Sequence, residues 1–131
     1  MHVAQEVLDR MITSAEVHTP QECCGLLAGG SDAITHAFPA QNALGSTTAF
    51  EIAPQELFHL FRAMRDAGLE HLGIYHSHPR SDNVPSPRDI EHAYYPGAVH
   101  FIITLLPTAP QPVRAFRILD GVVTELTIVT I

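Results

Sequence analysis

Apolar residues recur every three to four positions along the first stretch of the chain. Val3, Val7, Met11 and Ala15 share one stripe between Val3 and Val17. That spacing predicts an amphipathic helix, and Pro20 just beyond it suits the helix end. From Cys23 to Ala28 the chain is an apolar run stopped by Gly29-Gly30. It reads as a strand, with Ala33 to Ala40 as its hairpin partner and Thr48 to Ile52 as a further short strand. Pro54 opens a second helix, in which Leu57, Leu60, Phe61 and Met64 repeat at i, i+3, i+4 and i+7 before Gly68 stops it. His71 to His76 is again a strand. Residues 79–87, with Pro79, Pro85 and Pro87, are a loop, and a short helix starts near Ser86. Val99 to Leu105 reads as a buried strand. Val113 to Leu119 and Val122 to Val129 flank Asp120-Gly121, a hairpin turn signal. The elements add up to a mixed sheet with helices before and within it, an α/β layered domain.

At 131 residues the chain has the length of one domain, read as 1–131. Hydrophobic residues make up 46% and charged residues 16%, which is the balance of a globule and not of a disordered tail. The longest apolar stretch, Ala98 to Leu106, holds a His and is about half the length of a membrane span. The first residues lack a basic start followed by an apolar core, so no secretory signal is read and the cytoplasm is the expected compartment. The formal charge is −7, and all seven basic residues are Arg. That argues against nucleic-acid backbones and anionic membranes as partners. The missing Lys excludes Schiff-base chemistry and a P-loop. Cys23 and Cys24 are adjacent, which gives no disulfide framework and fits a reducing compartment. Nine His make a metal site worth seeking.

The informative stretch is His76-Ser77-His78-Pro79, followed by Ser86-Pro87-Arg88-Asp89. Residues i and i+2 of an extended backbone project to one side, so His76 and His78 can point at one ion. Asp89, in the first turn of the helix after the loop, is the natural third ligand. Two imidazoles and a carboxylate form a catalytic-type zinc set that leaves a fourth position for water. The same Ser86-Pro87-Arg88-Asp89 is also a good helix cap, with Ser at the N-cap, Pro at N1 and an acid at N3. The two readings are compatible, because a cap can fix the helix that presents Asp89.

This pattern resembles the JAMM (MPN+) metalloprotease motif: His-x-His, seven residues, Ser, two residues, Asp. Here His78 is followed by residues 79–85, then Ser86, Pro87, Arg88 and Asp89, so the spacing is met without gaps. Gln21-Glu22-Cys23-Cys24-Gly25-Leu26-Leu27 is similar to the family's upstream segment and places Glu22 in the role of its Glu. Asn42, Phe50 and Pro54, and Gly73-Ile74-Tyr75 ahead of His76, also sit where the family has such residues. The likeness spans roughly residues 3 to 129. It departs at Ser46-Thr47, where the family often has Ser-Pro. The resemblance implies a cytidine-deaminase-like fold, a curved mixed sheet flanked by helices with zinc at one edge. Deaminase chemistry itself lacks its signature, since the chain has no His-x-Glu and no Cys-x-x-Cys. His-Glu-x-x-His is absent as well.

What the resemblance implies is a zinc-dependent peptidase or isopeptidase. His76, His78 and Asp89 would hold zinc, the zinc-bound water would be the nucleophile, Glu22 would be general base and then acid, and Ser86 would stabilise the oxyanion. Its substrate would be the amide bond after the Gly-Gly tail of a ubiquitin-like or sulfur-carrier protein, as in small prokaryotic members that release cysteine from a carrier adduct. Two alternatives stay open: a small-peptide hydrolase, and a zinc-bound interaction scaffold without turnover. Among the other residues, Ser77 should face away from the metal. His100 reads as a core residue, and His2, His18, His36, His59, His71 and His92 as surface. Tyr94-Tyr95-Pro96-Gly97 reads as a packed aromatic turn or a cleft wall. The sequence does not give the oligomeric state.

Overall fold

The computed structural model describes residues 1–131. In chain order its elements are β1 (His2–Val3), α1 (Gln5–His18), β2 (Cys24–Gly30), β3 (Ala33–Ala40), α2 (Pro54–Asp66), β4 (Glu70–His78), α3 (Pro87–Glu91), β5 (Val99–Thr104), β6 (Val113–Leu119), β7 (Val122–Leu126) and β8 (Val129–Thr130). All eight strands form one sheet in the order β7-β6-β5-β4-β2-β3-β1-β8. β4 pairs β5 in parallel, as β1 pairs β3 and β8, and the remaining neighbours are antiparallel. β7 and β8 stand at opposite ends of that order, yet only Thr127 and Ile128 separate them in the chain. The sheet must therefore curl until its two edges approach each other. This is the curved mixed sheet flanked by helices that the family resemblance implies.

Alternation along the strands sorts the core into two halves. On one face Val7, Met11 and Ala15 of α1 lie fully buried against Cys23, Leu27, Tyr75, Phe101 and Ile103. Burying Val7 and Met11 alone contributes about 1.5–3 kcal/mol each, which holds a helix that has no side-chain N-cap. On the other face Met64 of α2 packs with Cys24, Leu26, Ala28 and Ile52. Gly25 is required where β2 pairs with β4 opposite Tyr75, because a Cβ there would come within 2.5 Å of the buried Tyr75 ring. Asp120 and Gly121 turn the β6–β7 hairpin with positive φ at both residues, 51° and 78°, as that turn demands.

Three expectations are corrected. Val3 does not extend the first helix; it pairs with Ile34 and Thr130 in the sheet. Residues 48–52 form no strand, since Phe50 and Ile52 turn their apolar side chains onto the α2 half of the core instead of pairing. The stretch from Val122 to Val129 is not one strand; it breaks after Leu126, and Val129–Thr130 crosses to the opposite edge beside β1. No helix is long and apolar enough to cross a membrane.

Candidate metal centre

The site sits at the C-terminal end of β4, on the α2 face. His76 and His78 project to that face, while Ser77 between them points to the other and is fully buried. Its hydroxyl accepts the Cys23 N–H at 2.8 Å, and its own N–H donates to the Cys23 carbonyl at 3.1 Å. Ser77 thus fastens the start of β2 to the end of β4. The antiparallel register sets Cys24 opposite His76, so two steps along it Glu22 comes level with His78. Glu22, His76, Ser77 and His78 are brought together by strand pairing, across more than fifty residues of sequence.

Asp89 arrives from α3. That helix has only five residues and buries none of them, so its position depends on its cap. The Ser86 hydroxyl accepts the Asp89 N–H at 3.1 Å, and the Ser86 N–H donates to Asp89 Oδ2 at 2.9 Å. This is a reciprocal capping box with Pro87 in the first turn. The same Oδ2 lies 3.1 Å from both His76 Nε2 and His78 Nε2, which are 3.0 Å apart.

Three donor atoms at such separations match a metal triad. Bonds of about 2.0–2.1 Å in a tetrahedron place neighbouring donors roughly 3.3 Å apart. His78 Nδ1 donates to the Asp82 carbonyl at 2.9 Å, so a neutral ring turns its Nε2 lone pair to the centre. Two lone pairs and a carboxylate oxygen this close repel unless a proton or a cation lies among them. His76, His78 and Asp89 therefore form a group able to hold a metal ion.

The surroundings fix these side chains. The Phe50 ring stacks on His76, with centroids 4.5 Å apart and 22° between planes. The Thr104 hydroxyl donates to the Ser81 carbonyl at 2.7 Å, and the buried Asn83 amide donates to Gln111 O at 2.9 Å. Both pin the loop that carries Asp82. Burial lowers the pKa of His76, partly offset by hydrogen bonding to Asp89. Burial alone would raise Asp89, but the imidazoles of His76 and His78 and the Ser86 N–H beside it outweigh burial and hold the carboxyl far below its usual range.

Glu22 is 4% exposed, and its Oε1 has no hydrogen-bond partner. Burial pushes its carboxyl up to about 7, with His78 and Arg88 opposing and Asp89 adding. A cation held by the triad would act in the same sense as Arg88. The Glu22 backbone is tied to the 42–51 loop, since its N–H donates to Ser46 O at 2.9 Å and its carbonyl accepts from Asn42 Nδ2 at 3.1 Å. Beside the triad opens a cleft of about 260 Å³, and the sequence reading missed part of its wall. His100, expected in the core, lines it on the face of His76, because parallel pairing sets Ile74 beside His100. Tyr94 and Tyr95 line it as well. His71, expected at the surface, is half-buried in edge contact with Phe61 and Tyr95. Nothing in the order of residues marks His100 as a cleft residue; only the register does.

Residues 4–119 match the family model described as prokaryotic homologs of the JAB domain. The chain belongs to the JAB (JAMM/MPN+) family. Among this JAB domain's relatives, a desampylase of Haloferax volcanii is 46% identical over 86 residues, 63% of this chain and 62% of that protein. A CysO-cysteine peptidase of Mycobacterium tuberculosis is 34% identical over 125 residues, 94% of this chain and 86% of that protein. A solution structure of a Desulfitobacterium hafniense protein, 30% identical, superposes with a TM-score of 0.85 over 98% of this chain and 91% of that one. The desampylase match thus spans less than two thirds of that protein's length.

Proposed function

We propose that this JAB domain is a zinc-dependent peptidase that cleaves the amide bond following the Gly-Gly tail of a ubiquitin-like sulfur-carrier protein. The observation that carries this reading is the buried, unpartnered Glu22 carboxylate level with the triad of His76, His78 and Asp89. The relatives named desampylase and CysO-cysteine peptidase support the substrate class.

His76, His78 and Asp89 hold the zinc, with Asp82 O and the Ser86 N–H orienting two of the three ligands. Bound there, zinc supplies Lewis acidity and lowers the pKa of a water in its fourth position. Glu22 takes the proton of the attacking water and returns it to the leaving amine. Its burial keeps the carboxylate poorly solvated, and no protein group competes for Oε1. The Ser86 hydroxyl accepts the Asp89 N–H, so its own proton remains available to a developing oxyanion. Phe50 and the α2 side chains shield one flank from solvent.

The test is mass-spectrometric: a ubiquitin-fold sulfur carrier extended past Gly-Gly by one Cys, incubated with the zinc-loaded protein. Loss of the Cys mass is expected, abolished by a chelator. Glu22→Gln keeps zinc and loses about 10²–10⁴ in turnover. An intact carrier in the presence of zinc-bound protein refutes the substrate, and near-normal turnover by Glu22→Gln refutes the proton-transfer role.

A further inference from the structure

We propose that the cleft beside the triad holds the leaving residue of the substrate, and that Arg88 selects a leaving amino acid with a free α-carboxylate. This rests on the peptidase reading above and specifies its substrate class. At about 260 Å³ the cleft falls below the range of about 300–1,000 Å³ usual for whole-ligand pockets. It suits one residue. Its walls include Phe50, Ile52, Leu57, Ile74 and Tyr95, which offer an apolar side chain a dry surface. A Gly-Gly tail has no side chain to place there.

Arg88 is the cleft's cation. It precedes Asp89 on α3, is half-buried, and takes part in none of the protein's ion pairs or side-chain hydrogen bonds. Glu51, the other acid on the cleft wall, is exposed and does not pair with it. Arg88 lines the same cleft as His76 and Asp89, which places it beside the triad. A guanidinium partly withdrawn from water and left without an anion is suited to bind one, in the fork geometry that carboxylates match. In a carrier extended by one residue, the α-carboxylate is one carbon from the scissile nitrogen, about 2.5 Å away through space. An isopeptide-linked lysine has four methylenes there and no carboxylate. The cleft therefore favours release of a single apolar amino acid over release of a protein lysine.

The experiment compares a sulfur carrier extended past Gly-Gly by one leucine as the free acid, the same carrier ending in leucinamide, and a carrier joined through Nε of lysine. The zinc-loaded wild type is expected to prefer the acid to the amide by about tenfold or more in kcat/KM, the size of one charge-assisted hydrogen-bonded pair. Arg88→Gln is expected to collapse that ratio to within about threefold, and Arg88→Lys to keep part of it. In a second readout, free leucine added to the protein shifts the NMR signals of cleft residues, and leucinamide does so far less. Cleavage of all three substrates with equal kcat/KM overturns this inference and leaves the peptidase reading standing. So does an equal fall on acid and amide in Arg88→Gln. Cleavage of none overturns both.

Discussion

Asn42 offers the sharpest test of how the site is held, because one side chain carries the loop that positions two of its parts. Its Nδ2 donates to Glu22 O at 3.1 Å and Ala49 O at 3.0 Å; its Oδ1 accepts from Leu44 N at 3.1 Å and Glu51 N at 3.2 Å. Four bonds at about 1 kcal/mol net each set a ceiling near 4 kcal/mol. Leu44 and Glu51 are exposed, so their N–H groups recover water when the amide is removed. The carbonyls of the buried Glu22 and half-buried Ala49 recover less. Asn42→Ala is therefore expected to cost about 2–3 kcal/mol, a fall in Tm of roughly 7–11 °C for a chain of this size. Asn42→Asp should not rescue it, because a carboxylate keeps the acceptor, loses both donors and brings negative charge against two carbonyl oxygens. The loop also carries Phe50, stacked on His76, so kcat should fall more than KM rises. Circular-dichroism melts and urea titrations give the stability, and the carrier assay gives the kinetics. A Tm within about 2 °C of wild type, with kcat unchanged, would show that the loop is held by something other than this amide.

Three further outcomes follow from the same structure. Gly25→Ala should destabilise by about 1–3 kcal/mol, because its Cβ would lie 2.5 Å from the Tyr75 ring. Adding Tyr75→Leu should recover part of the loss, and strict additivity in denaturant melts would contradict that contact. Zinc at a hundredfold excess over Kd should raise stability by about 2.7 kcal/mol, and Asp89→Asn should leave the melt insensitive to zinc. Burial pushes the Cys24 thiol up to about 12, with smaller contributions from Cys23 and nearby acids. The unfolded chain ionises this thiol near pH 9 and the folded protein does not. Stability is thus full below pH 9 and falls by up to about 1.4 kcal/mol per unit above it; urea titrations at pH 8 and 10 should show a drop that Cys24→Ala reduces, and an equal drop in both proteins would refute the assignment.

How far the fold was legible depended on whether an element is specified locally. α2 begins at Pro54 and its apolar stripe ends before Gly68, so its bounds follow from the sequence. The β6–β7 turn follows likewise from Asp120-Gly121. β1 and β8 do not, because two-residue strands have no period to detect, and each exists only because the curled sheet brings Val3 beside Thr130. Thr48 to Ile52 alternates as a strand should, but its apolar side chains turn to the α2 half of the core instead of pairing. In these places tertiary context overrode local preference.

The candidate site divides along the same line, with one instructive overlap. His76 and His78 owe their common direction to strand alternation, a rule visible in three residues. Glu22 stands beside them only through register, and register is set by the Ser77–Cys23 clamp and the Cys24–His76 pairing. Ser86 and Asp89 looked ambiguous in sequence, a helix cap or part of a metal motif. The geometry is compatible with both at once. Asp89 Oδ2 accepts the Ser86 N–H at 2.9 Å and faces both imidazoles at 3.1 Å with that same oxygen. A five-residue helix with no fully buried residue is too short to persist on its own hydrogen bonds. The cap holds the helix, the helix aims the carboxylate, and the carboxylate completes the triad. The spacing of Ser86 to Asp89 is therefore constrained twice, by helix geometry and by the centre, which is why those four residues carried so much of the sequence signal.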